Sequence, residues 1–177
     1  MSNIQALKHE FTSLYNTEVD AIFRYCLLRT SQREVARDIS QDAFMRLWDA
    51  LSQKKDIRNQ RAFLYTVARN LIIDWYRKKK SDSLEAITEE EGIDTFLVMA
   101  EKDSSEIELD IEARFIIDKI KELEPSYQHV VFLRYVEGLK PQDIADILGE
   151  SVNAVSVRIT RGIEKLRKLS GYDTKHE

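Results

Sequence analysis

Residues 139–169 read LKPQDIADILGESVNAVSVRITRGIEKLRKL, and their reading decides the fold. Pro141 can open a short helix, because its fixed φ suits the first helical position, where no amide hydrogen is required. Asp143 near that end is favoured by the helix dipole. Ile144, Ala145 and Leu148 share the inner face. Gly149 follows where a chain leaving a helix often needs left-handed backbone. Ser151 is a capping residue for a second, longer helix. There Val152, Val155, Ile159, Ile163 and Leu166 recur every three or four residues and form a stripe to be buried. The opposite side carries Asn153, Ser156, Arg158, Thr160, Arg161, Lys165 and Lys168. One anchored face, with the other offering hydrogen-bonding groups to base edges and cations to phosphates, is the layout of a DNA reader. A solvated basic face on an ordinary helical hairpin accounts for any one of these features. It does not account for the short helix, glycine, capping serine and long basic helix together. The stretch therefore reads as a helix-turn-helix.

Upstream of the motif, apolar spacing predicts a helix over 111–123, with Ile111, Phe115, Ile116, Ile120 and Leu123 on one side, and another from Pro125 to Gly138. Three further helices are predicted near the start of the chain, over 3–30, 32–51 and 61–80, with Thr30-Ser31 and the polar loop 52–60 as breaks. In the third, Leu64, Val67, Leu71 and Trp75 form the expected core face, leaving Tyr65, Arg69, Ile72, Tyr76 and Lys80 on another. Between the two groups lies SDSLEAITEEEGIDTFLVMAEKDSSEIELD, residues 81–110, charge-rich apart from Thr95–Met99. It reads as a tether, part of which could dock. The fold class expected is all-α: two small helical domains, 1–80 and 111–177, joined by an acidic linker over 81–110, the C-terminal domain being the helix-turn-helix.

Composition agrees. Only 5 Gly and 2 Pro in 177 residues leave few turn-makers, and no alternating strand pattern is evident. The net charge of −4 argues at first against nucleic acid. Residues 1–80, however, carry 15 Lys and Arg against 9 Asp and Glu, whereas residues 81–110 carry 1 against 11. The acidity is local, so the flanks can present basic faces. The one cysteine, Cys26, can form no intrachain disulfide and sits in an apolar run, AIFRYCLL, as a small core residue. With three scattered His it makes no zinc site, and no phosphate loop or nucleophile–base pair is visible, so neither enzyme chemistry nor a cofactor or metal is expected. Residues 1–11 lack an apolar core of signal-peptide length. No apolar run reaches the roughly 18 residues that span a bilayer. A cytoplasmic protein with no membrane insertion is expected.

Three stretches together resemble one family. ARDISQDAFMRLWDAL (36–51) is similar to the part of bacterial sigma factors that docks on core RNA polymerase, and AFLYTVARNLIIDWYRKKK (62–80) to their melting and minus-ten segment. The stretch from Leu123 to Leu169 resembles their minus-thirty-five domain. Order, length and linker resemble the extracytoplasmic-function (ECF) group. The resemblance implies a sigma region 2-like domain over 1–80, a region 4-like domain over 111–177, and promoter-specific initiation as the function. It also implies core RNA polymerase (beta-prime and beta subunits), promoter DNA and an anti-sigma factor as partners.

The resemblance gives site residues too. Asp38, Gln41, Asp42, Met45 and Asp49, left outside the apolar face of their helix, would meet a coiled coil of the beta-prime subunit; an acidic face with one apolar residue suits a partner bearing Arg and Lys. The minus-ten surface would comprise Arg58, Asn59, Gln60, Tyr65, Arg69, Tyr76, Arg77, Lys78, Lys79 and Lys80. Its cations would hold phosphates, its rings would stack on unpaired bases, and loop 52–60 would capture a flipped base. The minus-thirty-five surface would comprise Ser151, Asn153, Ser156, Val157, Arg158, Thr160, Arg161 and Lys165, with bases read mainly by Ser156, Val157, Thr160 and Arg161. Glu150 stands where the family commonly has an apolar residue. The rival reading is a free-standing helix-turn-helix regulator, which would need neither the acidic face nor the helix ending in KKK.

Overall fold

A computed structural model of the chain describes residues 3–82 and 111–171, with backbone alone at Asn3 and over 80–82. Among these there are seven α-helices and no strand, as the sparse Gly, Pro and β-patterning imply. The chain divides into two compact units, Met1–Ala86 and Ile87–Glu177. Most of the expected linker, with its Thr95–Met99 patch, falls outside the described residues. No helix among them is long and apolar enough to cross a membrane.

The first unit holds α1 (Asn3–Thr30), α2 (Arg33–Ser52) and α3 (Gln60–Asp82). Ser31 breaks α1 from α2 with φ of 52°, and Lys54 ends α2 with φ of 56°. Behind Lys54 the last carbonyls are closed by amides: Lys55 N donates to Ala50 O at 3.0 Å and Lys54 N to Leu51 O at 2.9 Å. A left-handed cap is thus made without glycine, at some steric cost. Ile22 and Cys26 of α1 and Ile39, Phe44 and Leu47 of α2 are buried in the core that the two packed helices share. Burial pushes the Cys26 thiol up to about 12, against a hydrogen bond with Ser40 and the charge of Arg29, so it is an inert core group.

The rotation of α3 differs from the expected one. Leu64, Tyr65, Ala68, Ile72 and Ile73 are buried, whereas Val67, Leu71 and Trp75 are only half-buried. The helix is apolar on two sides, so period alone cannot choose between them. Tyr65 chooses: its ring packs edge-on against Tyr25, centroids 5.2 Å apart and planes at 85°.

The second unit holds α4 (Ile111–Lys121), α5 (Pro125–Val131), α6 (Pro141–Leu148) and α7 (Val152–Leu169). Buried Gln128 of α5 donates to the carbonyls of Lys121 and Leu123 at 2.9 and 2.8 Å, closing the end of α4. After α5 the chain widens into a π turn, Phe132–Val136, where an uninterrupted α-helix to Gly138 was expected. Glu137 N there reaches Phe132 O at 3.1 Å. α4 is also turned from its expected seating: Ile117, Ile120 and Leu123 are buried, while Ile111 is 87% exposed and Phe115 and Ile116 stand in solvent. It carries more apolar residues than one stripe can hold, and packing selects among them.

The helix-turn-helix follows its local chemistry closely. Pro141 is the first residue of α6, and Lys140 N donates to Asp143 Oδ2 at 3.2 Å. Gly149 is left-handed, with φ of 68°. Ser151 Oγ accepts from Ala154 N at 3.2 Å and caps α7. Ile147, rather than the half-buried Leu148, completes the inner face of α6. Val152, at the first turn of α7, is more exposed than its stripe implies. Gly162 is buried where α7 packs on α5; a Cβ there would lie 2.5 Å from Val131 Cγ2.

Candidate docking groove and nucleic-acid interface

The acidic row of α2 borders a groove of about 600 Å³ lined by Phe11, Tyr15, Asp38, Gln41, Asp42, Phe44, Met45 and Trp48. Four of the five expected docking residues thus converge on one feature. Asp49 is exposed on α2 but does not line it. Met45 is 62% exposed, a large apolar side chain presented to solvent at the groove. Phe11 sits 5.1 Å from the Trp48 ring and Tyr15 4.8 Å from the Phe44 ring, both edge-on. These two α1 aromatics lie outside the 36–51 stretch that carries the acidic row. Their spacing of four is the signal that places them on one helix face. Asp38 and Asp42 form no ion pair among the described residues, so their charge is available to a cationic partner.

Of the expected minus-ten residues, Tyr65 moves into the core, and Asn59, Gln60 and Tyr76 hold partners within the unit. Tyr65 is 0% exposed and is a core residue, correcting its assignment to the outer face. Asn59 Oδ1 accepts from Ala62 N at 2.9 Å, capping the start of α3. Gln60 Nε2 donates to Glu10 Oε1 at 2.6 Å, and neighbouring Arg61 is paired with Glu18 at 2.8 Å. Both anchors come from α1 and fix the loop that precedes α3. Arg58 remains exposed. Arg69 is half-buried and donates to Asn70 Oδ1 at 3.3 Å. The half-buried Tyr76 donates its hydroxyl to the carbonyl of Arg29, and burial holds its phenol above the ordinary range despite that arginine's charge. Its ring lies 4.7 Å from Trp75, edge-on. Beside it Arg77, Lys78 and Lys79 are exposed, with Lys79 Nζ 5.1 Å from the Trp75 centroid. The side chain of Lys80 lies outside those described. The end of α3 therefore offers cations and half-covered rings side by side, as single-strand contacts require.

On α7, Asn153, Val157, Thr160 and Arg161 are exposed and Ser156 is half-buried. Thr160 Oγ1 donates back to Ser156 O at 3.1 Å. Arg161 has no partner among the described residues. The other two expected cations are engaged. Arg158 is ion-paired with Glu150. Lys165 is ion-paired with Glu124 and lies 4.7 Å from the Tyr127 centroid; the hydrogen bond to Glu124 chiefly holds its ammonium above the ordinary range. A shallow concavity of about 350 Å³ is lined by Ser126, Tyr127, Ala154, Val157, Arg158 and Arg161. Ser126 and Tyr127 belong to α5, and no spacing within the motif points to them. No group of three His, Cys, Asp or Glu among the described residues is placed to hold a metal ion.

The fold and its surfaces define a class: an all-α protein with a helix-turn-helix in one unit and an open acidic, aromatic groove in the other. Residues 14–81 match the Sigma-70 region 2 family and residues 116–166 the Sigma-70 region 4 family. The chain is 32% identical to the ECF RNA polymerase sigma factor SigW of Bacillus subtilis, over 89% of this chain and 87% of that protein. It is 28% identical to the RNA polymerase sigma factor YlaC of the same organism, over 92% and 94%. Its fold is similar to that of the sigma factor RpoE of Bartonella quintana, solved in complex with the anti-sigma factor NepR (TM-score 0.62, 20% identity, 93% of this chain and 98% of that one). It is similar also to CnrH, solved with the cytosolic domain of CnrY (TM-score 0.59, 23% identity, 97% and 96%). The chain belongs to the ECF RNA polymerase sigma factors, and as an alternative sigma factor it directs transcription initiation. A free-standing regulator is not favoured.

Proposed function

We propose that the chain docks on the beta-prime subunit of core polymerase through the α1–α2 groove, with Asp38, Gln41, Asp42 and Met45 at its contact and Asp49 beside it. The observation that carries this reading is the convergence of those four α2 residues with Phe11 and Tyr15 on one open, acidic, aromatic groove. Domain 1–80 captures and melts the minus-ten element with Arg58, Asn59, Gln60 and the end of α3: Arg69, Tyr76, Arg77, Lys78, Lys79 and Lys80. Tyr65 holds the core beneath them. Domain 111–177 reads the minus-thirty-five element with Ser151, Asn153, Ser156, Val157, Thr160 and Arg161, supported by Arg158 and Lys165, and touches the beta subunit. The acidic stretch 81–110 tethers the two domains. The protein catalyses no covalent step itself and works in the cytoplasm, where an anti-sigma factor restrains it.

The test is core polymerase with the full chain on duplexes selected from a random pool. Retention of the chain on core and initiation at a selected two-part site support the reading. A chain that shifts operator DNA alone and neither binds core nor initiates overturns it. Within that assay Arg161→Ala is expected to weaken use of the upstream element about tenfold or more, because a bidentate arginine–base contact discriminates by about 1–3 kcal/mol. Unchanged use of that element would place the reading face elsewhere on α7.

A further inference from the structure

Two of the cations on the reader helix are already held by carboxylates that the helix does not itself supply. Glu150 lies in the turn before the Ser151 cap and reaches Arg158 two turns into α7. Glu124 lies just before α5 and reaches Lys165. Arg161, between them in sequence, carries no such partner. A carboxylate on a guanidinium is the nearest protein equivalent of a phosphate on a guanidinium: both present paired anionic oxygens to the same fork of donors. The shallow concavity beside this pair has the two arginines, Ser126 and Tyr127 around an apolar floor of Ala154 and Val157, and no carboxylate lines it. Its chemistry therefore suits a phosphate oxygen, and Glu150 stands at the guanidinium such a phosphate would contact.

We infer that Glu150 is an internal stand-in for a DNA phosphate, holding Arg158 beside this concavity and lowering the affinity for the upstream element until a backbone phosphate displaces it. The inference rests on the reading of α7 as the minus-thirty-five helix. The pair is neither deeply buried nor fully open, its side chains being 23% and 29% exposed. Exchange is therefore feasible: the carboxylate that leaves is rehydrated, and the arginine is never left unpaired. Glu124 and Lys165 form a more exposed version, with side chains 64% and 44% accessible, so releasing Lys165 has a smaller effect.

The measurement uses the full chain assembled with core polymerase and a duplex that the wild-type holoenzyme selects from a random pool. Glu150→Gln keeps the shape of the side chain and removes its charge. It is expected to tighten binding about threefold to tenfold at moderate salt. It should also steepen the fall of log K with log salt by up to about one, as one more cation becomes free to neutralise phosphate. Removing any negative charge near DNA gives some gain, so the same substitution is made in an Arg158→Ala background, where the gain should vanish. Glu150→Gln that binds no tighter, or whose gain survives without Arg158, overturns the inference. If Arg161→Ala weakens binding while Glu150→Gln changes nothing, the stand-in fails and the reader helix stands. If Arg161→Ala also changes nothing, the reading of α7 fails and the inference falls with it.

Discussion

Asp42→Arg is expected to lower affinity for core polymerase at least tenfold while leaving the helical content and the unfolding midpoint of the chain unchanged. Asp42 is exposed, forms no ion pair among the described residues and lines the groove next to Met45. Folding therefore depends little on its charge. Docking depends on it more, because reversing one member of a complementary set replaces an attraction with a repulsion in a desolvating contact. A tenfold change corresponds to about 1.4 kcal/mol. The control is Asp20→Arg, an equal charge reversal at an exposed α1 position that does not line the groove. Binding of the wild type should weaken as salt rises, and binding of Asp42→Arg should weaken less steeply. Equal affinities for Asp42→Arg and Asp20→Arg would move the docking surface away from this groove.

The largest expected effect on stability is at Gly162. A Cβ at that position meets Val131 Cγ2 at 2.5 Å and the Cβ and Cδ1 of Tyr127 at 3.5 Å. Val131 is fully buried and β-branched, so it has few rotamers to retreat into. Gly162→Val should destabilise the second unit by about 2 kcal/mol, as overpacking commonly does. That corresponds to a fall in midpoint on the order of 10 °C for a unit of this size. Gly162→Ala separates the two effects of the glycine. On propensity alone alanine would stabilise a helix interior by about 1 kcal/mol. Here it should fail to stabilise, and Val131→Ala in the same chain should recover part of the loss, giving a favourable coupling between two contacting sites. Thermal unfolding followed by circular dichroism measures all three. Simple additivity of the two alanine substitutions would mean that α5 and α7 are not in the close contact described.

Gly162 and Asp42 also mark how far a sequence can be read. Asp42 is legible because its chemistry is local: an acidic row at helical spacing stays on one face wherever the helix is placed. Gly162 is not, since a glycine within a helix carries no sign of what crosses it. α3 shows the same limit more sharply. With apolar residues on two sides, it could bury Val67 and Trp75 or Tyr65 and Ile72, and only the rings and small side chains of α1 and α2 select the second set. Tyr65 thereby passes from the outer surface to the core. Asn59 and Gln60 are likewise placed correctly in the chain, but their partners could not be foreseen, Glu10 being fifty residues from Gln60.

The motif over residues 139–169 divides along the same line. Its helix starts, its turn and its cap follow from the sequence alone: proline fixes φ at the start of α6, glycine accepts the left-handed turn, and serine satisfies an amide three residues on. Each of these acts within a few residues, so no distant part of the chain need be known. The state of the charges on the reader helix is decided only by the tertiary structure. Arg158 and Lys165 read as free cations along the sequence, and folding brings Glu150 and Glu124 to them while leaving Arg161 open. Charge acts through space rather than along the chain, so which cations remain available to DNA is settled by the folds of the turn and of α5.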